Sequence, residues 1–130
     1  MICDNPLVVI DGAHNLAGAK ALKISLLSIF KNKKLLGIFS MLKDKPIDSV
    51  CEALMPLFEE IIITDIKNSR AMPIEELNAL VKRYHSSVSY VSVEHLKENL
   101  MDLGKAYDAV IIFGSLYMIG EFKTIECNKK

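Results

Sequence analysis

Short β-branched runs alternate with longer amphipathic stretches along the chain. Leu7-Val8-Val9-Ile10 carries no polar residue to mark a solvent face, which predicts a short strand buried on both sides. Over residues 16–30 apolar side chains recur at Ala19, Leu22, Leu26, Ile29 and Phe30, while Lys20 and Lys23 lie off that stripe. That spacing predicts a helix, with Asn15 placed to cap its first free amides. The alternation then repeats. Residues 35–39 read as a strand, and Pro46 opens a helix with Ile47, Val50, Cys51 and Leu54 on one face. Residues 61–64 are the most strand-like tetrapeptide, and Pro73 starts a helix that aligns Leu77, Leu80, Val81 and Tyr84. A weaker strand over 88–91 leads to a helix capped by Ser92, carrying Val93, Leu96, Leu100 and Leu103, and ended by Gly104. Residues 109–113 form a fifth strand, followed by Gly114-Ser115 and a short helical segment to about Phe122. The tail over 124–130 has no pattern and is expected to fray.

Five β–α alternations without hairpin signals predict a three-layer, Rossmann-like or flavodoxin-like α/β domain. Its sheet is expected to be mostly parallel, with helices on both faces joined by right-handed crossovers. No repeat, linker or low-complexity segment divides residues 1–130, so one domain is expected.

Composition narrows the function. Sixteen basic residues balance sixteen acidic ones, which argues against a dedicated nucleic-acid binder. The longest apolar runs are too short to cross a bilayer, and the N-terminus has no signal-peptide pattern. Cys3, Cys51 and Cys127 fit neither a disulfide framework nor a metal knuckle, and as free thiols they suit a reducing cytoplasm. A mean hydropathy of +0.26 is high for so small a domain and predicts some apolar surface facing a partner.

In this fold class the carboxyl ends of the strands share one edge, and ligands bind in the crevice there. Nearly all the candidate chemistry follows those ends: Asp11-Gly12-Ala13-His14-Asn15, then Ser40 to Lys45, then Thr64-Asp65 with Arg70 behind, then Gly114-Ser115-Leu116-Tyr117. The opposite edge reads as ordinary loops. Each candidate has two readings. Asp11 caps a turn, or it accepts hydrogen bonds from ribose hydroxyls or holds a cation. His14 is a solvated loop residue, or a neutral polar contact held uncharged by a helix N-terminus. Asp44 and Lys45 are helix-start chemistry or part of the site. Ser115 reads as a helix N-cap rather than a nucleophile, yet it would seat a carboxylate or phosphate. His85 and His95 read as surface residues of the third and fourth helices. Neither a phosphate-binding GxxxxGK[ST] loop, nor GxGxxG, nor a zinc-type cluster occurs. The chain therefore offers a ligand edge without a complete catalytic apparatus.

Asp11-Gly12-Ala13-His14-Asn15 after an apolar strand resembles the DGAHN signature of folylpolyglutamate synthase and dihydrofolate synthase, members of the Mur ligase superfamily. Residues 39–46, 70–77 and the Gly114-Ser115-Leu116-Tyr117-Met118-Ile119-Gly120-Glu121 ending fit the same order, so the resemblance spans nearly the whole chain. It is to the C-terminal domain alone. The larger N-terminal ATPase domain of that family, with its phosphate loop and Mg²⁺ ligands, has no counterpart here, as in an excised or separately encoded domain. The resemblance implies ATP-dependent addition of L-glutamate to folate or dihydropteroate through an acyl phosphate. ATP and Mg²⁺ would act in the complete enzyme, and the domain would be inactive alone. By that analogy Asp11 contacts ATP, His14 and Ser115 lie near the glutamate, and Asn15, Lys43 and Lys45 line the closed interface. Two rivals remain at this point: a standalone flavodoxin-like regulatory or binding module, and a phospho-acceptor domain using Asp65, which would lack the usual acidic pair.

Overall fold

In the computed structural model, residues 3–4, 7–12 and 15–122 are described here. The apolar runs become the parallel strands β2 (Leu7–Asp11), β3 (Leu35–Phe39), β4 (Glu60–Ile63), β5 (Val88–Tyr90) and β6 (Ala109–Phe113). A two-residue strand β1 (Cys3–Asp4) pairs antiparallel with β2 at the edge, giving the order β1-β2-β6-β3-β4-β5. All five residues of β3 and of β6 are buried, which is why both read as unbroken apolar runs.

The connections explain the layers. From β2 through β3 and β4 to β5 the chain advances in one direction, so right-handed crossovers place α1 (Leu16–Ile29), α2 (Ile47–Leu54) and α3 (Ile74–Val81) on one face. The return from β5 to β6 runs the other way and places α4 (Val93–Gly104) on the opposite face, joined there by α5 (Leu116–Phe122). The side chains agree. Leu22, Leu26, Val50, Leu54 and Leu77 pack with Phe39, Ile63, Ile111 and Phe113 in one cluster. Leu96, Leu100, Met118 and Phe122 pack with Leu36, Ile38, Val110 and Ile112 in the other. The expected doubly covered, mostly parallel sheet is present.

The local differences have physical causes. A two-residue strand has no period to detect, so β1 is invisible in the pattern. The third helix ends at Val81, and Tyr84 follows in the turn, where its hydroxyl donates to Asp48 at 2.8 Å. Gly104 is the last residue of α4, but Lys105 caps that helix in a right-handed conformation, so the stop is not a left-handed glycine. His85 lies beyond α3 and is half-buried: Nδ1 accepts from the Ser87 amide at 2.9 Å while Nε2 meets the Phe58 carbonyl at 2.7 Å. With Nδ1 accepting, Nε2 is the ring nitrogen that donates, to the Phe58 carbonyl. His95 is exposed on α4 as expected. The edge opposite the site is tied more firmly than ordinary loops. The Tyr107 hydroxyl donates to Glu60, and Asp108 accepts from the Lys34 amide at 2.6 Å.

Candidate functional site

Register fixes which carboxyl ends meet. Asp11 pairs with Phe113, Phe113 with Phe39, and Phe39 with Ile63. The residues that follow form a row running Gly12, Gly114, Ser40, Thr64. Helix α1 leaves β2 toward one face while α5 leaves the adjacent β6 toward the other, and ligand crevices of doubly wound sheets open at such a point.

Gly114 holds the row together. Its φ is +113°, and a Cβ there would stand 2.1 Å from the Ser40 carbonyl oxygen and 3.0 Å from the Phe39 ring. Only glycine lets the chain turn out of β6 while lying against β3. Directly after it, Ser115 is buried, and its Oγ accepts from the Tyr117 amide at 3.1 Å. This is the N-cap geometry read from the sequence, and it leaves the serine O–H free to donate elsewhere. Tyr117 itself is exposed beside it.

Asp11 and Gly12 form one wall of a cleft of about 340 Å³, and Asn15, Gly18, Ala21 and Ser25 of α1 form the other. Asn15 caps α1 by accepting from the Gly18 amide at 2.8 Å, so its side-chain oxygen is committed to the helix. His14 lies outside the described residues. Lys43 and Lys45 share the carboxyl edge but line a separate cleft of about 240 Å³ at the start of α2, with Asp48 and Met72. The structure thus brings Asp11 and Ser115 onto adjacent strand ends and places both lysines one site away.

Asp44 does not cap α2, whose N-cap is Pro46 without a side-chain bond. It pairs with Arg70 at 3.1 Å, and backbone bonds from Lys43 to Arg70 and from Met72 to Met41 fasten the loops after β3 and β4 together. Asp65 Oδ1 accepts from the Tyr90 hydroxyl at 3.2 Å and the Val93 amide at 3.1 Å, which ties the start of α4 to the end of β4. Sequence reading placed Thr64 at this edge but missed that its hydroxyl, at the end of β4, is buried. Thr64 Oγ1 has no hydrogen-bond partner among the described residues, and Ser40 is buried beside it in the row. The signal available was parity: Ser40 and Thr64 continue the alternation of Ile38 and Ile62 toward the α4–α5 face.

Among the described residues no three of His, Cys, Asp or Glu gather to hold a metal, and no helix is long and apolar enough to cross a membrane. Cys51 is buried, and burial, aided by Asp48, pushes its thiol up to about 12, so it is an inert core group. What remains is a carboxylate, a serine hydroxyl and glycine-floored backbone at a switch point.

These are the features of a doubly wound α/β domain whose polar residues gather at the carboxyl edge of its sheet. The model of the family described as Mur ligase, glutamate ligase domain, matches residues 1–116, and the chain belongs to that family. Among curated relatives, the dihydrofolate synthase/folylpolyglutamate synthase of Mycobacterium tuberculosis is 42% identical over 72 residues, covering 55% of this chain and 15% of that protein. The Buchnera aphidicola (Baizongia pistaciae) protein of the same name is 26% identical over 125 residues, covering 96% of this chain and 29% of the relative. Among solved structures, M. tuberculosis folylpolyglutamate synthase complexed with ADP and AMPPCP superposes with a TM-score of 0.79 at 30% identity, over 90% of this chain and 29% of that one. E. coli FolC in complex with DHPP and ADP gives 0.73 at 26% identity, over 86% and 26%. The chain therefore spans less than a third of the length of these relatives.

Proposed function

We propose that this chain is the closing, C-terminal domain of an ATP-dependent ligase that joins L-glutamate to folate or dihydropteroate, and that it is inactive alone. The observation that carries the reading is the Gly114 turn. By lying against Ser40 it sets the hydroxyl of Ser115 one strand from Asp11, at the crevice where the fold binds ligands. Membership in a glutamate-ligase domain family and likeness to nucleotide-bound folylpolyglutamate synthases support it.

In this reading ATP supplies the phosphoryl group that turns the folate carboxylate into an acyl phosphate; the glutamate amine then forms the amide and releases phosphate. The chain's own residues bind and position. A carboxylate opening on a cleft of about 340 Å³ suits Asp11 to accept hydrogen bonds from the nucleotide's ribose hydroxyls. The O–H of Ser115 donates to a glutamate carboxylate oxygen, and His14 takes a neighbouring place by family analogy. Lys43 and Lys45 act at the closed interface. The Mg²⁺ ligands fall to the ATP-binding domain, and closure of the two keeps water from the acyl phosphate. Steady-state kinetics of the complete enzyme test the assignment. Asp11→Ala should raise the ATP requirement and Ser115→Ala the glutamate requirement, while the 130-residue chain shows no turnover. Unchanged kinetics in both variants, or robust ligation by the chain alone, would sink it.

A further inference from the structure

Of the six exposed large apolar side chains among the described residues, four sit on α1: Leu16, Ile24, Leu27 and Ile29, with Ile24 70% exposed. At about 100° per residue, Leu16, Ile24 and Leu27 share an outer stripe with Lys20 and Lys23, turned away from the buried Ala19, Leu22 and Leu26. Charge is segregated along the sequence there. Residues 12–43 hold six lysines and no acid, so the remaining residues carry ten bases against sixteen acids. Neither Lys20 nor Lys23 has an ion-pair partner among the described residues. Of those six lysines, Lys20 and Lys23 lie on α1, which carries no acid.

An apolar stripe interleaved with unpaired lysines complements an apolar surface rimmed by carboxylates. A second copy packing α1 on α1 would set lysines against lysines. An amphipathic helix lying on an anionic bilayer keeps its lysines on the face opposite the inserted one, whereas Lys20 and Lys23 lie within this stripe. The relatives carry more than twice as much additional chain as this one to supply a protein surface. We propose that the outer stripe of α1 docks onto an acidic-rimmed apolar surface of the ligase's ATP-binding part, apart from the carboxyl-edge site. This rests on the ligase reading above.

Zero-length carbodiimide coupling joins a lysine amine to a carboxylate with loss of water, and only where the two already touch. Applied in source cells to the native protein that contains Val8 to Lys20, it should link Lys20 or Lys23 to Asp or Glu of a nucleotide-binding ligase segment. A Lys20→Glu/Lys23→Glu variant, which has no amine to couple, is the control that identifies the linkage sites. Ile24→Ser/Leu27→Ser, which leaves both lysines in place, should lose the linkage about tenfold or more at unchanged circular dichroism. Ligase linkages from Lys43 or Lys45 alone would overturn the stripe and leave the ligase reading standing. Linkage of Lys20 or Lys23 to a polypeptide without a nucleotide-binding segment would overturn both. Linkage to a second copy overturns the proposal, as does the absence of any linkage, whether or not the protein floats with phosphatidylcholine–phosphatidylserine vesicles.

Discussion

Replacing Gly114 by alanine strikes the contact on which the site's geometry depends. The added Cβ would lie 2.1 Å from the Ser40 carbonyl oxygen, more than about 1 Å inside ordinary non-bonded approach, and the obstacle is backbone. Two costs combine. Holding an L-residue near φ +113° costs about 1–3 kcal/mol. Displacing the end of β3, where Phe39 and Phe113 pack at 5.0 Å between ring centroids, costs a further ~1–3 kcal/mol. The sum, about 2–6 kcal/mol, is a large share of the roughly 5–15 kcal/mol that stabilises a domain. Urea unfolding followed by far-UV circular dichroism reads it as a midpoint about 1 M lower or more at unchanged slope. Gly120 is the control, because it is exposed on α5 and its added Cβ meets nothing within 4 Å. Gly120→Ala should gain about 0.5–1 kcal/mol from helix propensity alone. A Gly114→Ala variant within about 0.5 kcal/mol of the parent would refute the steric argument and remove the reason for placing Ser115 where it is.

Burial, followed by the hydrogen bond to Glu60, pushes the Tyr107 phenol up to about 12, so its phenolate should be the last to appear at 295 nm, and Tyr107→Phe should remove that late component. The sign is that of an acid held protonated by the fold. Stability from this group is intact below the ordinary tyrosine value and falls as pH rises from there toward 12. A Tyr107 phenolate formed in the ordinary range would contradict the contact. Cys51 should resist iodoacetamide in the native protein at mildly alkaline pH and label once urea unfolds it, as peptide mapping distinguishes it from the other cysteines. Native labelling would mean that the α2 packing is looser than drawn. Thr64→Val removes a buried hydroxyl without a partner and should raise stability by about 1 kcal/mol; a loss of that size would mean that the hydroxyl is satisfied.

The strands and helices were legible because each carries its own burial pattern. Residues 109–113 are apolar at every position because β6 is covered on both faces, and no distant residue is needed to see it. The gathering of polar residues at the carboxyl edge followed from the parallel alternation alone. What escaped the sequence is non-local. No periodicity says that β6 inserts between β2 and β3, and that insertion makes Asp11 and Gly114 neighbours. Asp44 looked like helix-start chemistry because Pro46 follows it, whereas its partner, Arg70, comes from a loop fastened to it by backbone bonds. His85 looked like a surface residue because its partners, the Phe58 carbonyl and the Ser87 amide, are main-chain groups with no signature in composition.

The strand order also decides which residues meet at the carboxyl edge. Inserting β6 between β2 and β3 puts glycines at the ends of two neighbouring strands, Gly12 and Gly114, followed by Ser40 and Thr64. Small residues at successive strand ends let those ends lie close together, so that Ser40 and Thr64 are buried beside the Gly114 turn. The pairing of β2 with β6 fixes the spacing between Asp11 on one strand end and the turn into Ser115 on the next. In the ligase proposed above, that spacing would register the nucleotide against the glutamate, and the ATP-binding part that closes over them would exclude water.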